Sequence, residues 1–249
     1  MARDAGRPAP LRVVQGQAEA WRLDEIAHAG PEHLDPGYVA GYDLKAGTDP
    51  GPDIGLLRDM GLNQDSVLVD MGCGTGRLAL AAAPLCRRVV AVDVSAEMLD
   101  AVRGGAAALD APSRPQCVNA GFLTYQHTGD PADFVYSRNA LHHLPDFWKA
   151  VALRRVAALL VSGGVLRLRD LVFSFAPAEV EERISAWLDS AADQPVDGWT
   201  RYELETHLRE EYSTFTWLLE PMLERSGFDI LEASYSDSGV YAAYTCARV

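Results

Sequence analysis

No apolar run in this chain approaches the roughly 20 residues needed to cross a bilayer, which excludes a membrane-spanning helix as the expected architecture. Met1 to Pro10 carries Arg, Gly and Pro but no apolar core, so no secretory signal is expected and cytoplasmic residence follows. Cysteine is scarce: Cys73, Cys86, Cys117 and Cys246 are widely scattered with no CxxC pair, which suggests neither a zinc site nor a disulfide framework. Six histidines include the pair His142-His143, but no HExxH or similar spacing marks a metal site. Basic residues are also few. Lys and Arg number 22 against 35 Asp and Glu, a net charge of −13. Nucleic-acid affinity comes largely from cations that neutralise phosphates, so no nucleic acid is expected as partner. Arg87-Arg88 and Arg154-Arg155 are the dense basic spots and read as helix ends or solvated faces. The same charge argues against anionic membranes and strongly acidic substrates.

What is present is an ordinary globular composition, 48% hydrophobic and 23% charged, in 249 residues. That length suits one large α/β domain with a sizeable core. Residues 1–16 read as a flexible leader and 17–29 as a short amphipathic helix ended by Gly30-Pro31. Residues 33–51 are rich in Gly and Pro and read as loop; 53–60 read as a helix stopped by Gly61.

From residue 66 the pattern alternates. Strand-length apolar segments occur at 66–71, 88–94, 116–120, 132–138 and 163–173, separated by helical segments at 77–86, 95–109 and 146–161. Ser95 and Asp146 stand near helix starts. Segments 178–191 and 201–227 read as helices, interrupted at Gln194-Pro195 and Pro221. The alternating segments 228–236 and 239–249 read as a terminal antiparallel pair joined at Asp237-Ser238. The expected fold is α/β: a Rossmann-like, seven-stranded, mostly parallel sheet with helices on both faces, the last strand antiparallel, plus a helical cap. Residues 17–249 form one domain in this reading, with 17–50 and 174–226 as a cap over the substrate.

The strongest chemical signal runs from Val67 through Asp70-Met71-Gly72-Cys73-Gly74-Thr75-Gly76 to Leu78. A buried strand passes into a glycine-rich turn and then a helix. Glycine permits the sharp turn and close approach of a ligand, and the helix N-terminus favours a carboxylate. Asp70 can accept from a ligand ammonium. Seventeen residues beyond Gly76, Asp93 ends the second strand, where an acid typically meets ribose hydroxyls. The competing readings are a plain strand-to-helix turn for the glycines and helix capping with Ser95 for Asp93. A dinucleotide fingerprint would need glycine at 77, where Arg77 stands.

This D-x-G-x-G-x-G pattern with its following acid resembles the class I S-adenosylmethionine-dependent methyltransferases, with the ubiquinone/menaquinone-biosynthesis-like small-molecule group closest in flavour. The likeness covers roughly residues 50 to 170. It includes Val118-Asn119-Ala120-Gly121-Phe122, the segment Tyr136 to Asp146 and the pair Gly163-Gly164. The resemblance implies S-adenosylmethionine as cofactor and S-adenosylhomocysteine as product. It implies cofactor contacts from Asp70, Gly72, Cys73, Gly74, Gly76, Asp93, Val94, Met98, Ala120, Gly121, Phe122, Arg138, Asn139 and Ala140. Met98 reads equally as an ordinary core residue. The family often carries Asp after its third strand to meet the adenine amino group; Gly121 stands there. That leaves backbone groups of Gly121 and Phe122, or Asn119, as candidates.

His142, His143 and Asp170 are the candidate catalytic groups, with loop-tethering and a structural ion pair as the alternatives. Tyr38, Tyr42, His207, Tyr212 and Trp217, with Trp199 and Phe215 nearby, are candidates to line an apolar substrate pocket, or else core of the added helices. The implied reaction is in-line methyl transfer to an oxygen, nitrogen or carbon atom of a small, partly apolar metabolite, by a monomer or homodimer. A protein that binds the cofactor without turnover, and an NAD(P)-dependent oxidoreductase, are the rival readings.

Overall fold

The computed structural model describes residues 21–46, 49–110, 114–195 and 198–249. The expected leader at 1–16 lies outside them. Eight strands form one sheet: β1 (Val67–Met71), β2 (Arg88–Asp93), β3 (Gln116–Asn119), β4 (Ala132–Arg138), β5 (Leu160–Phe173), β6 (Thr214–Phe215), β7 (Phe228–Tyr235) and β8 (Tyr241–Arg248). The order is β3-β2-β1-β4-β5-β8-β7, with the two-residue β6 pairing with β5 off this path. β1 lies parallel to β2 and β4, with Val69 opposite Val90 and Val135. β8 is antiparallel to both β5 and β7. The expected seven-strand path is therefore present, and β6 is an addition to it.

All five residues of β1 are buried, as a central parallel strand covered on both faces requires. On one face, α5 (Asp146–Leu159) and α8 (Thr216–Arg225) pack Leu153, Val156, Leu219 and Leu223 against Val69, Val90 and Val135. On the other, α2 (Gly51–Asp59), α3 (Arg77–Ala82) and α4 (Ala96–Gly105) pack Leu57, Ala79, Ala82 and Val102 against Leu68 and Ala91. A third apolar cluster joins the far half of β5 to α6 (Val180–Asp189) and α7 (Arg201–Glu210), with Trp187, Leu204, Leu171 and Phe175 at its centre.

Local chemistry explains the helix starts. Ser95 caps α4 by accepting from the Met98 N–H at 3.1 Å. Thr200 and Glu203 form a reciprocal capping box at α7.

Two segments differ from the sequence reading. Residues 33–51, read as loop, contain α1 (Pro36–Ala46). Its start carries Pro36 in the first turn, and Asp35 accepts the Tyr38 N–H at 2.8 Å. Within the described part of 17–29 there is a single 3-10 turn, Ile26–His28, rather than an amphipathic helix. Glu25 and Trp21 leave the local pattern for distant partners, Leu123 and Trp148. The expected helix at 201–227 is likewise split. The chain leaves α7 at Glu211, whose carboxylate turns inward, and Thr214-Phe215 pair with Val172-Phe173 before α8 begins. Pro221 lies inside α8 and is not the break.

Candidate functional site

A cavity opens over the C-terminal ends of β1, β2 and β4, where open α/β sheets collect ligands. Its floor is the turn between β1 and α3. Gly72 has φ +68°, and a Cβ there would fall well inside 3.0 Å of the Ala140 Cβ. Glycine is therefore required by the close approach of the turn after β4. That turn holds Asn139 at φ +50°, the one non-glycine residue with positive φ among those described. A Cβ at Gly74 would meet nothing within 4 Å, so its backbone faces open space.

Two carboxylates border this space, Asp70 buried and Asp93 half-buried. Asp70 accepts the Ala79 N–H at 3.1 Å, and burial pushes its carboxyl up to about 7, with Asp93 nearby adding to the rise. Asp93 accepts from the Gly74 N–H at 2.8 Å and the Ser95 N–H at 2.9 Å. Burial raises its carboxyl too, against those two hydrogen bonds. Asp93 thus shapes the glycine turn and buttresses the start of α4 at once. Cys73, Val94, Met98, Ala120, Gly121, Phe122, Arg138, Asn139 and Ala140 all line the same cavity. Of the expected cofactor set, only Gly76, at the first turn of α3, is not on the wall.

The N-terminal segment closes the cavity from above. Asp43 on α1 accepts from Thr75 Oγ1 at 2.5 Å, and the His33 carbonyl accepts from Ser95 Oγ at 2.7 Å. Glu25 reaches the end of β3, where its carboxylate accepts the Leu123 N–H at 3.0 Å and Thr124 Oγ1 at 3.2 Å. A Cβ on Gly121 would fall inside 3.0 Å of both Glu25 carboxylate oxygens, so glycine at 121 makes room for that acid. Burial raises the Glu25 carboxyl despite these bonds. Glu25, 96 positions upstream of Gly121, thus brings a carboxylate to the chain just after β3. No local pattern around Glu25 marks it; the missing acid after β3 was the available signal.

Tyr42 and Trp199 line the cavity with their rings 6.2 Å apart, and Tyr38 packs edgewise on His33. Tyr212 packs edgewise on His28, and its N–H donates to the His142 carbonyl at 2.9 Å. Trp217 is exposed and stacked on Phe215, away from the cavity wall. His207 is buried behind the wall rather than on it.

His142, His143 and Asp170 do come together. Asp170 is buried in the second half of β5 and accepts the Leu141, His142 and Leu171 N–H groups at 2.8, 3.2 and 2.7 Å. Its remaining contact is His142 Nδ1 at 2.5 Å. Burial alone would depress His142, but Asp170 on one side and Glu211 on the other raise it to about 9. Burial, then the neighbouring His142, lowers His143 to about 3. His143 alone of the three faces the cavity. Glu211, which the sequence reading did not single out, lies 3.0 Å from His142 Nε2 and also contacts His207 Nδ1.

Comparison with known proteins agrees with this geometry. Residues 68–164 match the family model of a methyltransferase domain. An uncharacterised methyltransferase of Mycobacterium tuberculosis is 30% identical over 154 residues, covering 57% of this chain and 75% of the relative. One from Geobacillus kaustophilus is 26% identical over 198 residues, covering 74% and 87%. The crystal structure of magnesium protoporphyrin IX methyltransferase from Synechocystis, with bound S-adenosylmethionine, aligns with a TM-score of 0.60 at 16% identity, over 93% of this chain and all of that one. The chain belongs to the class I S-adenosylmethionine-dependent methyltransferases. No helix among the described residues is long and apolar enough to cross a membrane.

Proposed function

We propose that this enzyme transfers the methyl group of S-adenosylmethionine to an oxygen, nitrogen or carbon atom of a small, partly apolar metabolite. The carrying observation is a single cavity that runs from Asp70, the open side of Gly74 and Asp93 to Tyr42, His143 and Trp199. The residues fit the cofactor. Asp70 suits its ammonium, and the glycine turn before α3 suits its carboxylate. Asp93 has lone pairs left for ribose hydroxyls. Met98, buried on the wall, suits an adenine face, and Glu25 is placed to accept from the adenine amino group.

When bound, the cofactor supplies a methyl carbon already activated on a sulfonium. The chain's own contribution is alignment and removal of water. Of the expected cap, α1 and Trp199 close the cavity beyond the glycine turn, whereas α8 packs on the face of the sheet. Tyr42 and Trp199 give that end an aromatic wall suited to a partly apolar acceptor. His143, held neutral at ordinary pH, presents an imidazole at the junction of the two ends.

The test is transfer of label from methyl-labelled S-adenosylmethionine into the low-molecular-weight fraction of a cell extract. Labelled product that depends on the protein supports the proposal. Label appearing only in macromolecules, or nowhere, contradicts it.

A further inference from the structure

The polar cluster behind the cavity wall is more elaborate than alignment of a methyl group requires. Three ligand atoms, one each from His142, His143 and Glu211, lie within 4.8 Å of one another. They come from the turn after β4 and the break after α7, so the fold and not a local motif assembles them. We propose that they form a binding site for one divalent first-row transition ion, such as zinc or ferrous iron, held by two imidazoles and one carboxylate.

Three observations carry this. The first is the support of His142. Asp170, fixed by three backbone N–H groups, engages Nδ1 and so aims Nε2 at Glu211. A carboxylate that orients a histidine through its far nitrogen is the usual outer support of a metal ligand. The second is the state of the donor atoms. His143 Nδ1 is buried and has no hydrogen-bond partner among the described residues. Glu211 Oε2 lies between two imidazoles, 3.0 Å from His142 Nε2 and in contact with His207 Nδ1, so its carboxylate already faces nitrogen donors. A buried imidazole nitrogen without a partner, as in His143, calls for an occupant. The third is position. His143 is on the cavity wall and His142 behind it, so an ion here would sit at the edge of the cavity. Two imidazoles and one carboxylate with open positions suit zinc, iron, cobalt or nickel, and not magnesium or calcium. On the methyltransferase reading, the ion would stand beside the acceptor end of the cavity. The ion site itself does not depend on that reading.

The alternative occupant is a proton on His142, which would make the cluster a structural ion pair. Calorimetric titration of the metal-stripped, untagged protein with zinc, and with cobalt followed by its visible absorption, separates the two. The expected result is one ion per chain and a cobalt spectrum of nitrogen and oxygen ligation. Loss of an orienting partner costs metal sites about 10–100-fold, so Glu211→Gln and His143→Ala should each weaken binding by more than about 100-fold. His127→Ala, at a distant surface turn, should leave it unchanged. Glu211→Gln keeps the side-chain shape; should it fail to fold by circular dichroism, His143→Ala on the cavity wall decides. No saturable binding to the parent protein, or binding that survives both substitutions, overturns the proposal. S-adenosylhomocysteine affinity measured on the same samples reports separately on the methyltransferase reading.

Discussion

The fit between Gly121 and Glu25 makes a quantitative prediction. In Gly121→Ala the new methyl group would fall inside 3.0 Å of the Glu25 carboxylate, at the flexible end of a side chain that can be displaced. Displacement breaks the bonds to the Leu123 N–H and Thr124 Oγ1 and leaves a buried N–H without a partner. An unsatisfied buried donor costs about 1–3 kcal/mol. Burial of the carboxylate, visible in its raised titration, offsets part of the bond energy. Each of Gly121→Ala and Glu25→Ala should therefore destabilise by about 2 kcal/mol. The double variant should lose about the same, because alanine at 25 removes the clash, giving a coupling of about 2 kcal/mol between the sites. For a chain of this size 1 kcal/mol moves Tm by about 2–4 °C. The four proteins, melted under one buffer condition, should show single-variant losses of about 4–8 °C and a double loss in that same range. Additive losses, with the double variant falling about twice as far, would refute the claim that glycine at 121 exists to admit Glu25.

Two further outcomes follow from the titrating and ion-paired groups. Asp70 titrates near 7 in the free protein against about 4 for an unfolded Asp. Its contribution to stability is thus full below about pH 4 and is lost as pH rises through about 7. A cofactor ammonium favours the ionised form, so S-adenosylhomocysteine should bind up to about tenfold more weakly at pH 6 than at pH 8, with a calorimetric heat that depends on the buffer's ionisation; equal constants and no buffer dependence would contradict the Asp70 assignment. Asp53 is buried and pairs with Arg167 Nε at 3.1 Å and Arg169 at 2.8 Å while accepting from the Tyr136 hydroxyl at 2.9 Å. Asp53→Ala strands a buried guanidinium and should cost about 3–5 kcal/mol in urea unfolding; a loss under about 1 kcal/mol would show the network to be dispensable.

The parts of the molecule that were legible in the sequence are those whose signal is local. β1 announces itself as an unbroken apolar run because both of its faces are covered, and β4 occupies 132–138 as its pattern predicts. The glycine turn was legible because Gly72 and Gly74 answer to backbone geometry and ligand space, which constrain residue type directly. What was missed depends on contacts distant in sequence. Glu25 sits in a segment whose helical periodicity is overridden by Leu123, and Glu211 ends α7 because two histidines and β5 draw the chain inward. The sequence reading found no metal-ligand spacing, because spacing reports only neighbours along the chain. His142, His143 and Glu211 meet only after folding, so spacing carries no information about them. Trp217 illustrates the opposite error: an aromatic near the right segment lies on the outer surface, stacked on Phe215.

The most direct trial of the whole account is calorimetry of the purified protein against S-adenosylhomocysteine, with NADH as the contrast ligand and Asp93→Ala as the control. One saturable site per chain for the nucleoside–amino acid ligand, none for NADH, and at least tenfold weaker binding in a folded Asp93→Ala protein, a loss of about 1.4 kcal/mol, is the predicted outcome. An unchanged constant in that variant, or preference for the dinucleotide, would contradict it.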